Sequence, residues 1–376
     1  MPKTYDDKEL NPFELYLQNL LKQNINGLAF NQFMHEALYH LDYGYYQNIK
    51  PKIGLSGDFT TAPEMSSLFA ECLANFCLST YPDSNILEFG AGSGQLAVDL
   101  ISSLIKAHHA PEKYFILEIS PYMRKVQQQN LKQSLPNYFS NVIWLDTLSG
   151  FKHKGLIIAN EVLDAMPIHK FYINQGKLHE WHVKVQKNLF QWHLAEPSFG
   201  LKSALNHCRF NELYLQEDYT SEINLWLPAW FKTLNDCLIQ GHILLTDYGF
   251  THKEYYHPQR HMGTLMCHHL HQAHPDPLIN VGQQDITAHV DFTHVAMSAY
   301  ASNFSILGFK TQAAFLIECG LFDLAQKLNT QASAKILTSP NEMGERFKAI
   351  LLGKNVGDLP PLGFRQFNQV YKLTYY

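Results

Sequence analysis

The sequence predicts an α/β fold: a doubly wound, mostly parallel sheet with helices on both faces. Three observations carry this. Four short runs, ILEFG (86–90), YFILEI (114–119), VIWL (142–145) and GLIIAN (155–160), are nearly continuous in apolar residues, as strands buried on both faces are. Helical spacing fills the gaps after the first two of them. A fifth buried run, GHILLTDYG (241–249), returns after a long excursion. Strands that alternate with helices in this way imply a parallel sheet covered above and below.

Each element has its own reason. Residues 12–41 read as helical. A second helix covers 64–80, opened by Pro63 and Glu64, with Leu68, Phe69, Cys72, Leu73, Phe76 and Cys77 recurring at helical spacing. Between them YGYYQNIKPKIGLSGDFTTAPE (43–64) is rich in Gly, Pro and Tyr and reads as a long loop. After the strand at 86–90 comes a helix with Leu96, Ala97, Leu100, Ile101, Leu104 and Ile105 on one face, and after the strand at 114–119 a helix over 121–134. Beyond Pro167 the pattern changes. FYIN (171–174), LHEWHVKV (178–185) and LFQWHL (189–194) suggest hairpin strands, and SEINLWLPAWFKTLNDCLIQ (221–240) suggests a helix. Residues 169–240 are therefore expected to be an insertion into the sheet domain. Helices are expected around 291–304 and 332–352, and final strands near 309–316 and 366–374.

Composition narrows the function classes. A chain of 376 residues fits one elaborated domain or two. With 46% apolar and 17% charged residues it is globular. A net charge of -5 leaves no basic footprint for nucleic acid. No apolar run approaches the ~18 residues of a membrane span. The opening MPKTYDDKEL carries Asp6, Asp7 and Glu9 and has neither the basic and apolar regions of a signal peptide nor the Arg-rich character of a transit peptide. A cytoplasmic location is the expectation. The cysteines (72, 77, 208, 237, 267, 319) show no CxxC spacing and read as reduced core residues. HEALYH (35–40) is one residue too long for the zinc motif HExxH. His261, His268, His269, His271 and His274 sit in a loop-like stretch, and Asp285, His289 and Asp291 form another polar group. Both read as surface or hydrogen-bonded side chains, with Asp285 or Thr287 opening a helix. No metal is assigned, and His289 is kept only as an additional site residue.

The chemistry begins at ILEFGAGSGQLA (86–97). Gly90, Gly92 and Gly94 alternate with small residues. A dinucleotide loop, G-x-G-x-x-G, would place its third glycine one residue later. Glu88 ends the preceding strand. Its charge is unfavourable beside a pyrophosphate and favourable beside an ammonium and a sulfonium. E-x-G-x-G-x-G is the arrangement used for S-adenosylmethionine. No GxxxxGK[ST] phosphate loop occurs. The next strand supplies Glu118, 24 residues after Gly94 (118 − 94), where a carboxylate can accept both hydroxyls of a ribose diol. The third strand ends in Asp146, placed to take an adenine amino group. A lone acid at a strand end also serves as a helix cap or solvated turn. The fourth strand ends in Asn160 and Glu161, with Asp164 at i+3. Two polar groups closing a buried strand at the crevice of a doubly wound sheet point to catalysis. Asp164 could equally cap a turn.

These motifs resemble the MidA-type class I methyltransferases, a family that includes mitochondrial complex I assembly methyltransferases and many bacterial proteins. The resemblance runs from about residue 13 to the C-terminus. It rests on YYQNIKPKIGLSGDFTTAPEMSSLFAE (45–71), ILEFGAGSGQLA, YFILEIS, NEVLDAMPIHKF (160–171) and RHMGTLMCHHLHQAHPDPLINVGQQDITAHVDFTHVA (260–296). It implies a Rossmann-like, mostly parallel seven-stranded sheet with an N-terminal helical cap and insertions. The cap with the GDFTTAPE loop would be residues 1–80 and the donor-binding domain 81–376, carrying the 169–240 insertion and a family-specific loop at 250–300. S-adenosyl-L-methionine is the implied donor, the signature glycines map onto Gly90, Gly92 and Gly94, and the ribose acid maps onto Glu118. The mitochondrial branch methylates an arginine of a respiratory complex I subunit, so an arginine-bearing protein substrate is implied.

GDFTTAPE supports two compatible readings. Thr60 or Thr61 can cap the helix that Pro63 begins, with Glu64 in its first turn. The segment can also be a lid, with Asp58 or Glu64 facing the cofactor. Glu161 is the first choice for orienting an acceptor guanidinium and taking its proton, with Asp164 second. Two other functions compete. An assembly chaperone could use the same fold without turnover. A nicotinamide oxidoreductase is disfavoured by the loop spacing and Glu88.

Overall fold

In the computed structural model, residues 11–48, 62–80, 82, 84–208 and 218–374 are described. They group into two units. One gathers described residues of Met1–Asn48, Pro167–Leu225 and Pro258–Ala288, and the other those of Ile49–Met166, Trp226–His257 and His289–Tyr376.

The second unit contains the sheet. Along the chain run α1 (Leu68–Thr80), β1 (Asn85–Phe89), α2 (Gln95–Lys106), β2 (Tyr114–Leu117), α3 (Pro121–Ser134), β3 (Val142–Leu145) and β4 (His153–Asn160). Then follow α4 (Leu227–Cys237), β5 (Leu238–Phe250), α5 (Phe292–Ala301), β6 (Ser305–Thr311), α6 (Gln312–Glu318), α7 (Leu321–Leu328), α8 (Gln331–Thr338) and β7 (Phe347–Lys354). The strand order is β3-β2-β1-β4-β5-β7-β6. The first five strands are mutually parallel, and β7 is antiparallel to both neighbours. A two-residue strand, Val290–Asp291, adds in parallel to the end of β5. The expected mostly parallel sheet of seven strands is present. Its order reverses between β1 and β4, so the loops after those strands flank the crevice where a doubly wound sheet binds its ligands.

Alternation along each strand divides the core. Leu156 and Ile158 of β4 join Ile86, Tyr114 and Ile116 on the face that α1, α2 and α6–α8 cover. Ile157 and Ala159 join Leu87 and Phe89 on the face that α4 and α5 cover. Burial on both faces explains why these strands read as apolar runs rather than alternating ones.

The first unit is built from antiparallel pairs. Lys177–Gln186 pairs with Leu28–Ala29, His169–Asn174 and Leu189–Ala195, and His169–Asn174 pairs with Tyr219–Ile223. Helices Pro12–Lys22 and Phe30–Tyr39 belong to the same unit.

Several expectations are corrected. The helix over 12–41 is two helices, parted by a turn at Asn24–Gly27. Gly27 holds a φ of 71°, and a Cβ there would lie 2.2 Å from the Val183 carbonyl oxygen. Leu68–Thr80, assigned to the N-terminal cap by the 1–80 boundary, packs instead in the core of the sheet unit. Within 221–240 only Leu227–Cys237 is helical, beginning with Pro228 in its first turn. The helix over 332–352 stops at Thr338, before Ser339 and Pro340, because the residue ahead of a proline is driven out of helical backbone. Residues 347–352 belong instead to β7, after turns that follow Pro340. Of the strand expected near 309–316, residues 309–311 belong to β6 and Gln312–Glu318 is α6. Residues 366–374 carry only a short 3₁₀ turn, Val370–Lys372. Asn368 nevertheless covers the open edge of β6, accepting from the Phe309 N–H at 3.0 Å and donating to the Leu307 carbonyl at 2.9 Å. The histidine stretch is a hairpin, Met266–His269 with Gln272–His274. Asp285 and Thr287 lie in a strand, and Asp291 is the residue that caps the following helix.

Candidate active site at the carboxyl ends of the central strands

The glycine loop joins β1 to α2. Gly90, Gly92 and Gly94 all have left-handed backbone, with φ of 60°, 54° and 84°. Glycine adopts this without steric cost. A Cβ on Gly94 would sit 3.3 Å from the Cα of Gln127. The third glycine therefore lets α3 approach the loop, a packing role that the sequence reading had not separated from ligand access.

Glu118 leaves the end of β2 and is buried. Its Oε1 accepts the Ser120 N–H at 2.8 Å and its Oε2 accepts Nε2 of Gln127 at 2.9 Å. Burial raises its pKa, and the Ser120 and Gln127 hydrogen bonds and the Arg124 charge oppose that rise. Each carboxylate oxygen keeps a second lone pair. Asp146, beyond β3, accepts Nη1 of Arg124 at 2.6 Å and has an 88% exposed side chain. Arg124 also donates Nε to the Glu118 carbonyl at 2.6 Å and Nη2 to the Leu145 carbonyl. The strand ends that carry Glu118 and Asp146 are thus fixed to each other by one guanidinium.

Glu88 is also buried, and it accepts the Tyr114 hydroxyl at 2.7 Å. Burial pushes its pKa up to about 7, and the nearby Glu118 charge adds to this against the Tyr114 hydrogen bond. Glu64 lies in the short helix Ala62–Met65 and accepts the hydroxyl of Ser93, inside the glycine loop. Asp58 and Thr61 lie outside the described residues.

The ends of β4 and β5 form the other half. Thr246 of β5 lies opposite Asn160 of β4. Its hydroxyl donates to Asn160 Oδ1 at 2.7 Å, and its carbonyl takes the Glu161 N–H at 2.9 Å. Asn160 Nδ2 donates to Glu161 Oε1 at 3.3 Å. Glu161 has a φ of 53°, uncommon for a residue with a side chain. Asp164 is buried and accepts the Tyr248 hydroxyl at 2.6 Å through Oδ2. Its Oδ1 is buried with no hydrogen-bond partner among the described residues.

Asp247 was not anticipated. It is buried in β5, just beyond the last residue paired with β4, accepting the Leu163 and Asp164 N–H groups through Oδ2 at 3.0 and 3.3 Å and the Tyr248 N–H through Oδ1 at 2.8 Å. Burial raises its pKa well above the usual range, and the Asp164 and Glu161 charges raise it further. Burial also raises the pKa of Asp164. Three carboxyl groups thus share one region. The Tyr248 ring meets His289 edge-on at 5.0 Å, and His289 stacks on Phe250 at 5.3 Å. Among the described residues no three histidine, cysteine or acidic side chains are placed to share a metal ion. The six cysteines are buried and none forms a disulfide among the described residues.

Both overlooked residues had a signal. Met123, Gln127 and Leu131 are the buried positions of α3, so a glutamine stands where the helical stripe calls for an apolar side chain. Thr246-Asp247 closes a buried strand with two polar groups, as Asn160-Glu161 does.

The comparisons with known proteins agree with this geometry. Residues 68–310 match the model of a family of S-adenosyl-L-methionine-dependent methyltransferases. The chain belongs to that family. It is similar to a Burkholderia thailandensis protein solved with S-adenosyl-homocysteine, at 30% identity and a TM-score of 0.88, covering 96% of this chain and 98% of that one. It is 27% identical to the Drosophila melanogaster "Protein arginine methyltransferase NDUFAF7 homolog, mitochondrial", over 89% of this chain and 84% of that protein. It is 26% identical to the Mus musculus "Protein arginine methyltransferase NDUFAF7, mitochondrial", over 91% and 84%. The protein is a methyltransferase of the Rossmann-like class I fold, and its donor is S-adenosyl-L-methionine. The cytoplasmic expectation is overturned, because these relatives are named as mitochondrial proteins. No helix among the described residues is long and apolar enough to cross a membrane.

Proposed function

We propose that this methyltransferase modifies an arginine side chain of a protein. The carrying observation is the acid group at the ends of β4 and β5, where Glu161, in left-handed backbone, stands with Asp164 and Asp247. Carboxyl groups whose neighbours raise their proton affinity are stabilised by an arriving cation. A guanidinium also offers five N–H donors in a planar fork that matches a carboxylate. The names of the relatives support the same substrate class.

The donor, when bound, supplies a methyl group made electrophilic by its sulfonium. In this reading Gly90, Gly92 and Gly94 let it approach the backbone, Glu118 accepts the ribose hydroxyls, and Asp146 is available to the adenine amino group while held by Arg124. Glu88, Glu64 and Asp58 complete the donor side. Glu161 accepts two guanidinium N–H groups, aligns the attacking nitrogen and takes its proton as the new bond forms. Alignment supplies much of the acceleration in such a transfer. Asn160 steadies Glu161, and Asp164 is the second carboxylate. A respiratory complex I-type subunit is the acceptor suggested by the family resemblance.

Mass spectrometry of methylated arginines in cells with and without the gene tests this. The expected result is at least one methylarginine site that disappears on deletion and returns with the wild-type gene. If none changes while the purified protein binds donor, the substrate assignment fails and a binding role without turnover replaces it.

A further inference from the structure

We propose that Gln127 is the positioning residue of the donor site, its side-chain amide fixing Glu118 and the glycine loop in one shared arrangement. This rests on the reading that Glu118 and the loop hold the donor.

Gln127 is 0% exposed. Its Nε2 donates to the Gly92 carbonyl and to Glu118 Oε2, both at 2.9 Å. Its Oε1 accepts the indole N–H of Trp144 on β3, also at 2.9 Å. Chemistry dictates this orientation. A carbonyl and a carboxylate only accept, and an indole only donates. Turning the amide over would set acceptor against acceptor twice and donor against donor once. One side chain on α3 therefore ties together the loop after β1, the acid after β2 and a residue of β3. With Ser120 holding Oε1, the Glu118 carboxylate is fixed at both oxygens. The Gly92 carbonyl is held by the same amide that holds Glu118. Loop and acid are thus set relative to each other before any ligand arrives, which is what preorganisation requires.

Gln127→Glu keeps the shape and replaces the donating nitrogen by an oxygen. The charged groups around it are Glu118 at the end of β2, Glu88 at the end of β1 and Arg124 on α3, with Asp146 on Arg124. At about pH 8 the introduced carboxylate opposes Glu118 and the Gly92 carbonyl. At about pH 5.5 it can hold a proton and donate it to Glu118. Calorimetry of the full chain with S-adenosylhomocysteine reads the result, each variant compared with wild type at the same pH. Gln127→Glu is expected to bind at least about tenfold more weakly than wild type at pH 8, the scale of a lost hydrogen bond to a charged group, and to regain part of that loss at pH 5.5, where one of the two donated bonds returns. Gln127→Met, which cannot donate or titrate, should be weakened by about tenfold or more at both values. It also keeps the test open if the first variant does not fold. Wild-type affinity at pH 8 in either variant that folds would overturn the proposal. So would a loss in Gln127→Glu that is the same at both pH values, because mere misfit does not titrate. Glu118→Ala separates the two layers. If it binds like wild type, the donor reading itself falls. If it is weakened while both Gln127 variants bind normally, the role of Gln127 falls alone.

Discussion

Glu118 and Asp164 are both buried carboxylates at the ends of parallel strands, and they are treated differently. Glu118 receives a donor at each oxygen, from Ser120 and Gln127, with Arg124 close by. Asp164 receives Tyr248 at one oxygen, while its other is buried with no partner among the described residues. Its charge acts on a second buried carboxyl, Asp247, as does that of Glu161. A matched buried network is rigid and ready for neutral hydroxyls. Buried carboxyls that raise one another's proton affinity favour an arriving cation. In the proposed division of the site, Glu118 belongs to the donor side and Asp164 to the acceptor side. Under the proposed function, the first arrangement suits the donor's hydroxyls and the second a cationic acceptor.

The largest expected effect lies on the donor side. Gly92→Val places a β-branched side chain at a φ of 54° in the loop, where such residues are outliers. Donor affinity is expected to fall by more than about a hundredfold, with strain of roughly 1–3 kcal/mol lowering the melting temperature modestly. Undiminished affinity in the folded variant would remove the loop from the donor site.

A smaller effect is expected at Glu88, the donor-side acid that shares the acceptor side's excess of proton affinity. Folded, it holds its proton to about pH 7, against the ordinary 4.5. Between those values the folded chain binds more proton than the unfolded one. The stability it contributes is therefore complete below pH 4.5 and lost as pH rises through 7. Glu88→Gln keeps an acceptor for Tyr114 and cannot ionise. Denaturant unfolding should show a shallower decline across this window and a gain of ~1–3 kcal/mol at pH 8. Identical pH profiles for the two proteins would show that the burial of Glu88 carries no such penalty.

Most of the sheet was legible because its strands are buried on both faces. Continuous apolar runs located β1–β5, and a register that brings Glu118, Asn160 and Glu161 to strand ends followed from them. The first unit was less legible, since its pairing of Leu28–Ala29 with His182 and Val183 spans over a hundred residues that no local pattern reports. β7 was hidden because its short apolar run, AILL (349–352), suits a helix as well as a strand. At the site, Gln127 and Asp247 were missed for one reason. Each stands in a buried pattern as an exception, and an exception shows its meaning only when its partners arrive from other elements: Gly92, Glu118 and Trp144 for one, Leu163 and Glu161 for the other.

The separation of donor from acceptor chemistry can be measured on a single preparation of Glu161→Gln. The amide is nearly isosteric, and the Glu161 backbone and side chain keep their hydrogen bonds to Thr246 and Asn160. One of its oxygens becomes a donor that would face the N–H groups of a guanidinium, and the amide cannot take a proton. Calorimetric affinity for S-adenosylhomocysteine and methyl incorporation into extract from a deletion strain are read side by side with wild type. The expected result is donor affinity within about twofold of wild type and incorporation lower by at least ~10²-fold, the scale of a lost general base. Full incorporation by Glu161→Gln, or loss of donor binding in step with loss of transfer, would contradict the division of the site into a donor half and an acidic acceptor half.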